Sequence, residues 1–265
     1  MMRKLLLTLL AAGTALWAAS AGTVRILDAA PGGGGAPVRQ LALLQGLEKG
    51  SGEFRIETLP PEEALRQLEA GKADFVLVAE SRIPDTFAGE RRFYAALAAA
   101  VYLSTNNPAV TFTREQLASI LTAERPEWTA YNGSPTEMHR LGLKPRANGA
   151  GVAEALIGLG KRKPAEGIFR VGSSRELLLL AGADSEAIAF GLLLPEVPVT
   201  VKTAAIDGVR PAPAEIAAGK YPLAVRCALL WKKNLSADAA EFLKRIDSKD
   251  FRDLVDEAEM LPLSR

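Results

Sequence analysis

Cysteine and histidine are almost absent from this chain, since Cys227 and His139 are the only ones among 265 residues. An internal disulfide is therefore excluded, and so are metal clusters built from cysteine or from paired histidines. No Gly-x-Ser-x-Gly motif supplies a nucleophilic serine, and no carboxylates stand out as an acid and base pair. The sequence predicts a protein that is not an enzyme and has no metal or cofactor. We expect Cys227 to be a small buried hydrophobe and His139 to lie in an exposed loop.

The chain also lacks an excess of charge of either sign. Lysine and arginine number 32 and the acidic residues 31, which gives a formal net charge of +1. The two signs are interspersed along the sequence, and the short basic run Lys161-Arg-Lys163 is expected to be a solvated cluster after a helix end. Nucleic acids and acidic membrane surfaces attract strongly basic proteins, so we expect neither as a partner.

No apolar run approaches the roughly 20 residues that a membrane-spanning helix needs. The longest, residues 5–17, follows Arg3 and Lys4 and precedes an Ala-Ser-Ala stretch at 19–21. This order is typical of a secretory signal peptide, and we expect residues 1–21 to be cleaved. Because no cysteine follows that could carry a lipid anchor, the product is expected to be soluble and periplasmic or secreted.

Strand and helix patterns alternate along the chain, which predicts α/β layers around a largely parallel sheet. An apolar stripe of Val38, Leu41, Leu44 and Leu47 indicates a helix beginning at Pro37. Capping boxes begin further helices at Thr113 and Ser173, and residues 124–144 are expected to form a packed loop. The predicted strands are 24–27, 54–58, 73–79, 96–104, 187–194, 199–206 and 223–231, and the other predicted helices are 61–70, 149–159, 237–246 and 249–257.

Three loops combine a strand end or a helix start with groups that bind anions. The glycines 32–35 permit positive φ angles and precede a predicted helix, whose first N–H groups have no helical partner. Ser81 and Arg82 follow the most apolar strand and offer a hydroxyl and a planar guanidinium. Arg146 precedes a glycine-rich turn at a third helix start. We predict a small-anion site from these loops; a plain turn at the glycines and a solvated loop at Ser81 are the alternatives.

Several short motifs occur in a fixed order between residues 103 and 223. A strand ends in Leu103-Ser-Thr-Asn-Asn-Pro108, a helix follows with Thr113-Arg-Glu-Gln-Leu-Ala-Ser-Ile120, and Trp128 comes next. The later motifs are Ala187-Ile-Ala-Phe-Gly191, Ala205-Ile-Asp-Gly-Val209 and Ala218-Gly-Lys-Tyr-Pro-Leu223. Together they resemble the phosphate-binding proteins of bacterial ABC importers, and the resemblance extends from about Val24 to the end of the chain.

That resemblance implies the type II periplasmic-binding-protein fold, in which two α/β lobes with mixed sheets are joined by crossing hinge strands. Lobe 1 is expected to comprise residues 22–97 and 224–265, and lobe 2 residues 98–223. The implied ligand is inorganic phosphate or a related oxyanion, bound between the lobes of a monomer and passed to the permease subunits of an ABC transporter. The implied ligand-binding residues are Gly33, Gly34, Gly35, Ala36, Ser81, Arg82, Arg146, Asn148, Gly149, Ala150 and Gly151.

The third loop departs from the family pattern, because Ala150 and Val152 stand where the family has hydroxyls, and the first loop has glycines where relatives usually have serine or threonine. Each missing hydroxyl removes a donor worth about 1 to 3 kcal/mol to a desolvated anion. Three hypotheses stay open: a component of an importer, a non-transporting sensor or interaction protein with a weakened anion site, and an enzyme on the same fold. The missing hydroxyls favour the second and Arg146 with the glycine loops favours the first, whereas nothing supplies the nucleophile and base that the third requires.

Overall fold

The structure, a computed structural model, describes residues 22–49, 53–145, 147, 150–159 and 161–263. The predicted signal peptide at 1–21 lies outside these residues. The strands are β1 Val24–Ala29, β2 Phe54–Thr58, β3 Phe75–Ala79, β4 Glu90–Ser104, β5 Thr111–Phe112, β6 His139–Leu143, β7 Phe169–Val171, β8 Ala187–Leu192, β9 Val201–Thr203, β10 Ala205–Ile206, β11 Ala224–Trp231 and β12 Leu261–Pro262. The helices are α1 Ala36–Lys49, α2 Pro61–Glu69, α3 Arg114–Thr122, α4 Thr129–Asn132, α5 Val152–Ile157, α6 Ser174–Ala183, α7 Pro213–Ala217, α8 Ala237–Arg245 and α9 Lys249–Glu257.

Ten strands form one mixed sheet with the order β2-β1-β3-β11-β4-β8-β6-β7, and β9 and β12 add to β4. β1 runs parallel to β2 and β3, and β6 runs parallel to β7 and β8. β11 is antiparallel to β3 and β4, and β4 is antiparallel to β8. The predicted α/β class with mixed sheets is confirmed, although the antiparallel strands at the centre make the sheet less parallel than the alternation of elements suggested.

The apolar side chains form separate cores along this sheet. We call the clusters on the two faces of β1, β3 and β11 the β1 core; its members include Ile26, Leu27, Phe75, Val76, Leu229, Leu230 and Phe242. The β8 core lies around β8, α3 and α6, with members that include Leu103, Leu117, Trp128, Leu177, Ile188, Ile216 and Leu223. The 15-residue strand β4 supplies side chains to both cores, so it connects them directly.

Most of the predicted elements are present, and the cap at Thr113 has the expected geometry. The Thr113 hydroxyl accepts from the Gln116 N–H at 3.1 Å, and the Gln116 side chain accepts from the Thr113 N–H at 2.7 Å. At Ser173 only half of the predicted box forms, because Glu176 accepts from the Gly172 N–H instead. Both reciprocal bonds at Thr113 fix where α3 begins.

Three details of the sequence interpretation are wrong. The stretch 124–144 is not a loop, since it contains α4 and β6, and His139 is an exposed residue at the start of that strand. Leu44 is 40% exposed and is not on the buried face of α1. That face consists of Val38, Leu41, Ala42 and Gln45, which is the i, i+3, i+4, i+7 spacing of one helix side.

Among the residues that the structure describes, we find no helix with both the length and the apolar character needed to cross a membrane.

Candidate functional site

Two of the predicted loops leave the sheet at the same edge. β1 and β3 are parallel neighbours, with Asp28 opposite Leu77 and Ala29 opposite Val78. The glycine loop follows β1 and the Glu80–Arg82 turn follows β3, so both begin at the carboxyl ends of adjacent strands. In open α/β sheets ligands bind at such edges.

Hydrogen bonds within the molecule define the shape of the glycine loop. Gly32 and Gly33 have φ angles of 57° and 86°, a region that glycine adopts without strain. The Gly34 N–H donates to the Pro31 carbonyl at 2.8 Å, and the Gly34 carbonyl accepts from the Tyr94 hydroxyl at 2.8 Å. Burial raises the pKa of Tyr94 far above its ordinary value, so this hydroxyl stays protonated and keeps donating.

A buried carboxylate that the sequence interpretation did not identify lies against the start of α1. Asp28 is 4% exposed. Its carboxylate accepts one hydrogen bond from the Ala30 N–H at 3.0 Å and another from Arg39 Nε at 2.6 Å. A Cβ added to Gly35 would lie 2.0 Å from Asp28 Oδ2, so the carboxylate contacts the backbone at the helix start. An anion at the start of α1 would therefore have the Asp28–Arg39 pair as a neighbour. The only sequence signal was an aspartate inside an otherwise apolar strand end.

The second loop carries its charges in ion pairs. Arg82 lies 3.8 Å from Glu62 of α2, and both side chains are more than half exposed, so this pair contributes little to stability. Ser81 is exposed, and its neighbour Glu80 is paired with Arg226 of β11. The guanidinium of Arg82 therefore lies at the surface beside α2.

The third loop lies partly outside the described residues, which do not include Arg146, Asn148 and Gly149. Ala150 is described, and its N–H donates to the Ala147 carbonyl at 3.1 Å. Gly151 has a φ of 74° and caps the start of α5. Val152, the next residue, lies beside the glycine loop, because its Cγ2 is 3.5 Å from the position that a Cβ at Gly32 would occupy. The first and third loops therefore meet through an apolar side chain.

A cavity of about 310 Å³ opens beside the glycine loop. Its lining residues are Gly32, Gly33, Ala36, Gln40, Leu97, Leu192, Glu257, Ala258 and Met260. It reaches two of the predicted ligand residues, Gly33 and Ala36, but Ser81 and Ala150 do not line it. Over the described part of the chain, no group of three or more histidine, cysteine, aspartate or glutamate side chains is arranged to hold a metal.

Cys227 lies behind the glycine loop, as its predicted buried role requires. It is fully buried, and its Sγ lies 2.7 Å from the position of a Cβ at Gly34. Burial is the main cause that raises the pKa of this thiol to about 12. Below that pH the thiol is protonated in the folded state and does not attack electrophiles.

We therefore expect the native protein not to react with a disulfide reagent at about pH 8, because Cys227 is both inaccessible and protonated. Release of the coloured thiolate from Ellman's reagent measures this reaction. The exposed variant Ser119→Cys should react at once, and the parent should react only after unfolding in guanidinium. Rapid labelling of the folded parent would show that the sheet around β11, which pairs with β3 and β4, opens readily.

Comparison with protein-family models and with curated protein sequences finds no match. Solved structures share the fold. An ABC-type phosphate transport receptor from Vibrio cholerae has 19% identity and a TM-score of 0.64, over 89% of this chain and 98% of that chain. A possible phosphate binding protein from Planctomyces limnophilus has 16% identity and a TM-score of 0.73, over 92% and 94%. PstS from Borrelia burgdorferi has 13% identity and a TM-score of 0.69, over 92% and 99%.

These likenesses define the fold of the chain, which is that of the type II periplasmic binding proteins. The resemblance to phosphate-binding proteins of ABC importers, first indicated by the motifs between residues 103 and 223, is confirmed at the level of structure.

Proposed function

We propose that this protein is an extracytoplasmic solute-binding protein that captures phosphate, or a related small tetrahedral oxyanion, for an ABC importer. The observation that carries the proposal is the position of two of the predicted loops at one edge of the sheet, with the start of α5 beside the first. The glycine loop and the Glu80–Arg82 turn follow adjacent parallel strands, and Val152 at the start of α5 contacts the glycine loop. The structures that share the fold include a phosphate transport receptor and a possible phosphate binding protein, which supports the same class of solute.

The proposed site uses backbone N–H groups as its main donors. In our proposal Gly33, Gly34, Gly35 and Ala36 present their backbone to the anion, because glycines allow its close approach. Ser81 and Arg82 supply a hydroxyl and a positive charge from the second loop. From the third loop we propose Arg146, Asn148, Gly149, Ala150 and Gly151.

In our proposal the chain forms two lobes, one around each core. Residues 22–97 and 224–265 form one lobe and residues 98–223 the other, with the oxyanion between them. We propose export by cleavage of residues 1–21, a soluble monomer, no catalytic activity, and the permease subunits of an importer as partners. Separate β1 and β8 cores that share β4 are what a hinged pair of lobes requires.

Calorimetric titration of the purified chain without residues 1–21 tests the proposal. Phosphate, sulfate, molybdate and arsenate are compared at equal ionic strength, with chloride as the control anion. We expect saturable heat with phosphate and arsenate, which share shape and charge, at a stoichiometry of about one. If none of the oxyanions binds, the importer role is wrong, and the non-transporting sensor or interaction protein takes its place.

A further inference from the structure

One arginine of β11 contacts segments that belong to different parts of the molecule. Arg226 Nε donates to Glu80 Oε2 at 2.6 Å, and Arg226 Nη2 donates to Glu80 Oε1. The remaining nitrogen, Nη1, donates to the Ala217 carbonyl at 2.7 Å. The guanidinium carbon also lies 4.6 Å from the centre of the Phe93 ring, within cation–π distance. A single side chain therefore connects the second candidate loop, β4 and the end of α7.

These contacts cross from the β1 core to the β8 core. Glu80 directly follows β3, and Phe93 packs against the α2 face of the β1 core. Ala217 ends α7, whose Ile216 is fully buried in the β8 core. Arg226 and Glu80 belong to the β1 side, so among the contacts of this guanidinium the bond from Nη1 to Ala217 is the one that reaches the β8 side.

The chain around α7 is shaped to receive this guanidinium. Gly219 has a φ of 69°, and a Cβ added there would lie 3.1 Å from Arg226 Nη2. The carbonyl of Ala217 lies at a helix end, where carbonyls lose their helical partners, and Arg226 supplies a charged donor to it. The side chain of Arg226 is only 21% exposed, so the bond is partly shielded from water.

We propose that Arg226 and Glu80 form a latch that holds the two cores in this arrangement before any ligand binds. Glu80 fixes the guanidinium through two parallel bonds, which leaves Nη1 directed at Ala217. Glu80 also begins the second candidate ligand loop, so a ligand that displaces this loop weakens the latch. The inference rests on the two-lobed arrangement of the proposed function and is independent of which anion is bound.

Distance measurement between two spin labels tests the latch without a ligand. Ala70→Cys at the end of α2 and Ser119→Cys on α3 provide exposed positions on the two sides, and buried Cys227 stays unlabelled. In this background Arg226→Lys keeps the charge but loses the planar fork, and Glu80→Gln keeps the shape but loses the charge. We expect each change to lengthen the mean distance and to raise the ratio of open to closed molecules about tenfold, the effect of one charged hydrogen bond.

A matched ion pair within the β1 side provides the control. Arg92 Nη1 lies 2.6 Å from Asp247 Oδ2. The two side chains are 21% and 35% exposed, which is close to the exposure of Arg226 and Glu80, at 21% and 39%. Arg92→Lys should leave the label distance unchanged. An unchanged distance in the Glu80→Gln variant, whose fold circular dichroism verifies, overturns the latch, and so does an equal shift in Arg92→Lys. Because no ligand is present, a failure of phosphate binding counts against the proposed function only.

Discussion

Replacing Gly35 by alanine is expected to lower the free energy of unfolding by about 1 to 3 kcal/mol, the cost of displacing a buried carboxylate from its hydrogen-bond partners. The new Cβ would lie 2.0 Å from Asp28 Oδ2, so the carboxylate has to move. Asp28 is 4% exposed and binds Arg39 and the Ala30 N–H from its present position. Moving it separates the pair and leaves charge in a site from which water is largely excluded.

Helix α1, which begins directly after Gly35, contains the matched control for this substitution. A Cβ at Gly46 would lie 3.8 Å from a ring carbon of Phe54, which is an ordinary contact. Gly46→Ala should therefore raise the free energy of unfolding by about 0.5 to 1 kcal/mol, because alanine favours a helix interior over glycine. Guanidinium unfolding followed by circular dichroism measures both variants. If Gly35→Ala is as stable as the parent, the Asp28 carboxylate does not lie at the start of α1.

Elements whose side chains repeat with a regular period could be predicted from the sequence. β3 is apolar at every position because both of its faces are covered, and all five of its residues are buried. α2 carries Ala64, Leu65 and Leu68 on one buried face, as the helical spacing indicates. Such local patterns report burial directly, so the boundaries of these elements agree to within about two residues.

Short elements could not be predicted, because they contain too few residues to show a period. β7 has 3 residues and α4 has 4. β6 was missed within a stretch rich in proline, glycine and polar residues, although it pairs with both β7 and β8. Pairing between strands far apart in sequence decides such cases, and a local pattern does not contain that information.

In the candidate site, too, features with a local sequence pattern could be predicted, and features that depend on distant partners could not. The glycine loop and Ser81 were identified from their positions after strands, and the structure brings both loops to one edge of the sheet. Asp28 and the Glu80–Arg226 pair were missed, because their roles depend on partners 11 and 146 residues away. Carboxylates are common in any sequence, and only the fold distinguishes a buried one from a solvated one.

Val152 is the residue in which the departure from the family pattern has the clearest structural consequence. It is 7% exposed and belongs to the β1 core together with Leu97 and Leu192, although it begins α5. Its Cγ2 lies 3.5 Å from the position of a Cβ at Gly32 in the glycine loop, and the resemblance to phosphate-binding proteins implies a hydroxyl at residue 152 instead. A methyl group at this place excludes water but gives an anion no donor.

The double variant Ala150→Ser with Val152→Thr is expected to bind phosphate about tenfold to a hundredfold more tightly, because two hydroxyl donors contribute about 1 to 3 kcal/mol. Without phosphate the variant should be less stable than the parent by about 1 kcal/mol, since the threonine hydroxyl then lacks a partner among apolar side chains. Tighter binding together with lower stability would distinguish a ligand contact from a general change in packing.

Titration calorimetry measures the affinity for phosphate, and thermal unfolding with and without phosphate measures the stability. Ala155→Ser at an exposed position of α5 is the control. Unchanged or weaker phosphate binding in the double variant would mean that the added hydroxyls do not reach the anion, and it would favour the non-transporting role over the importer.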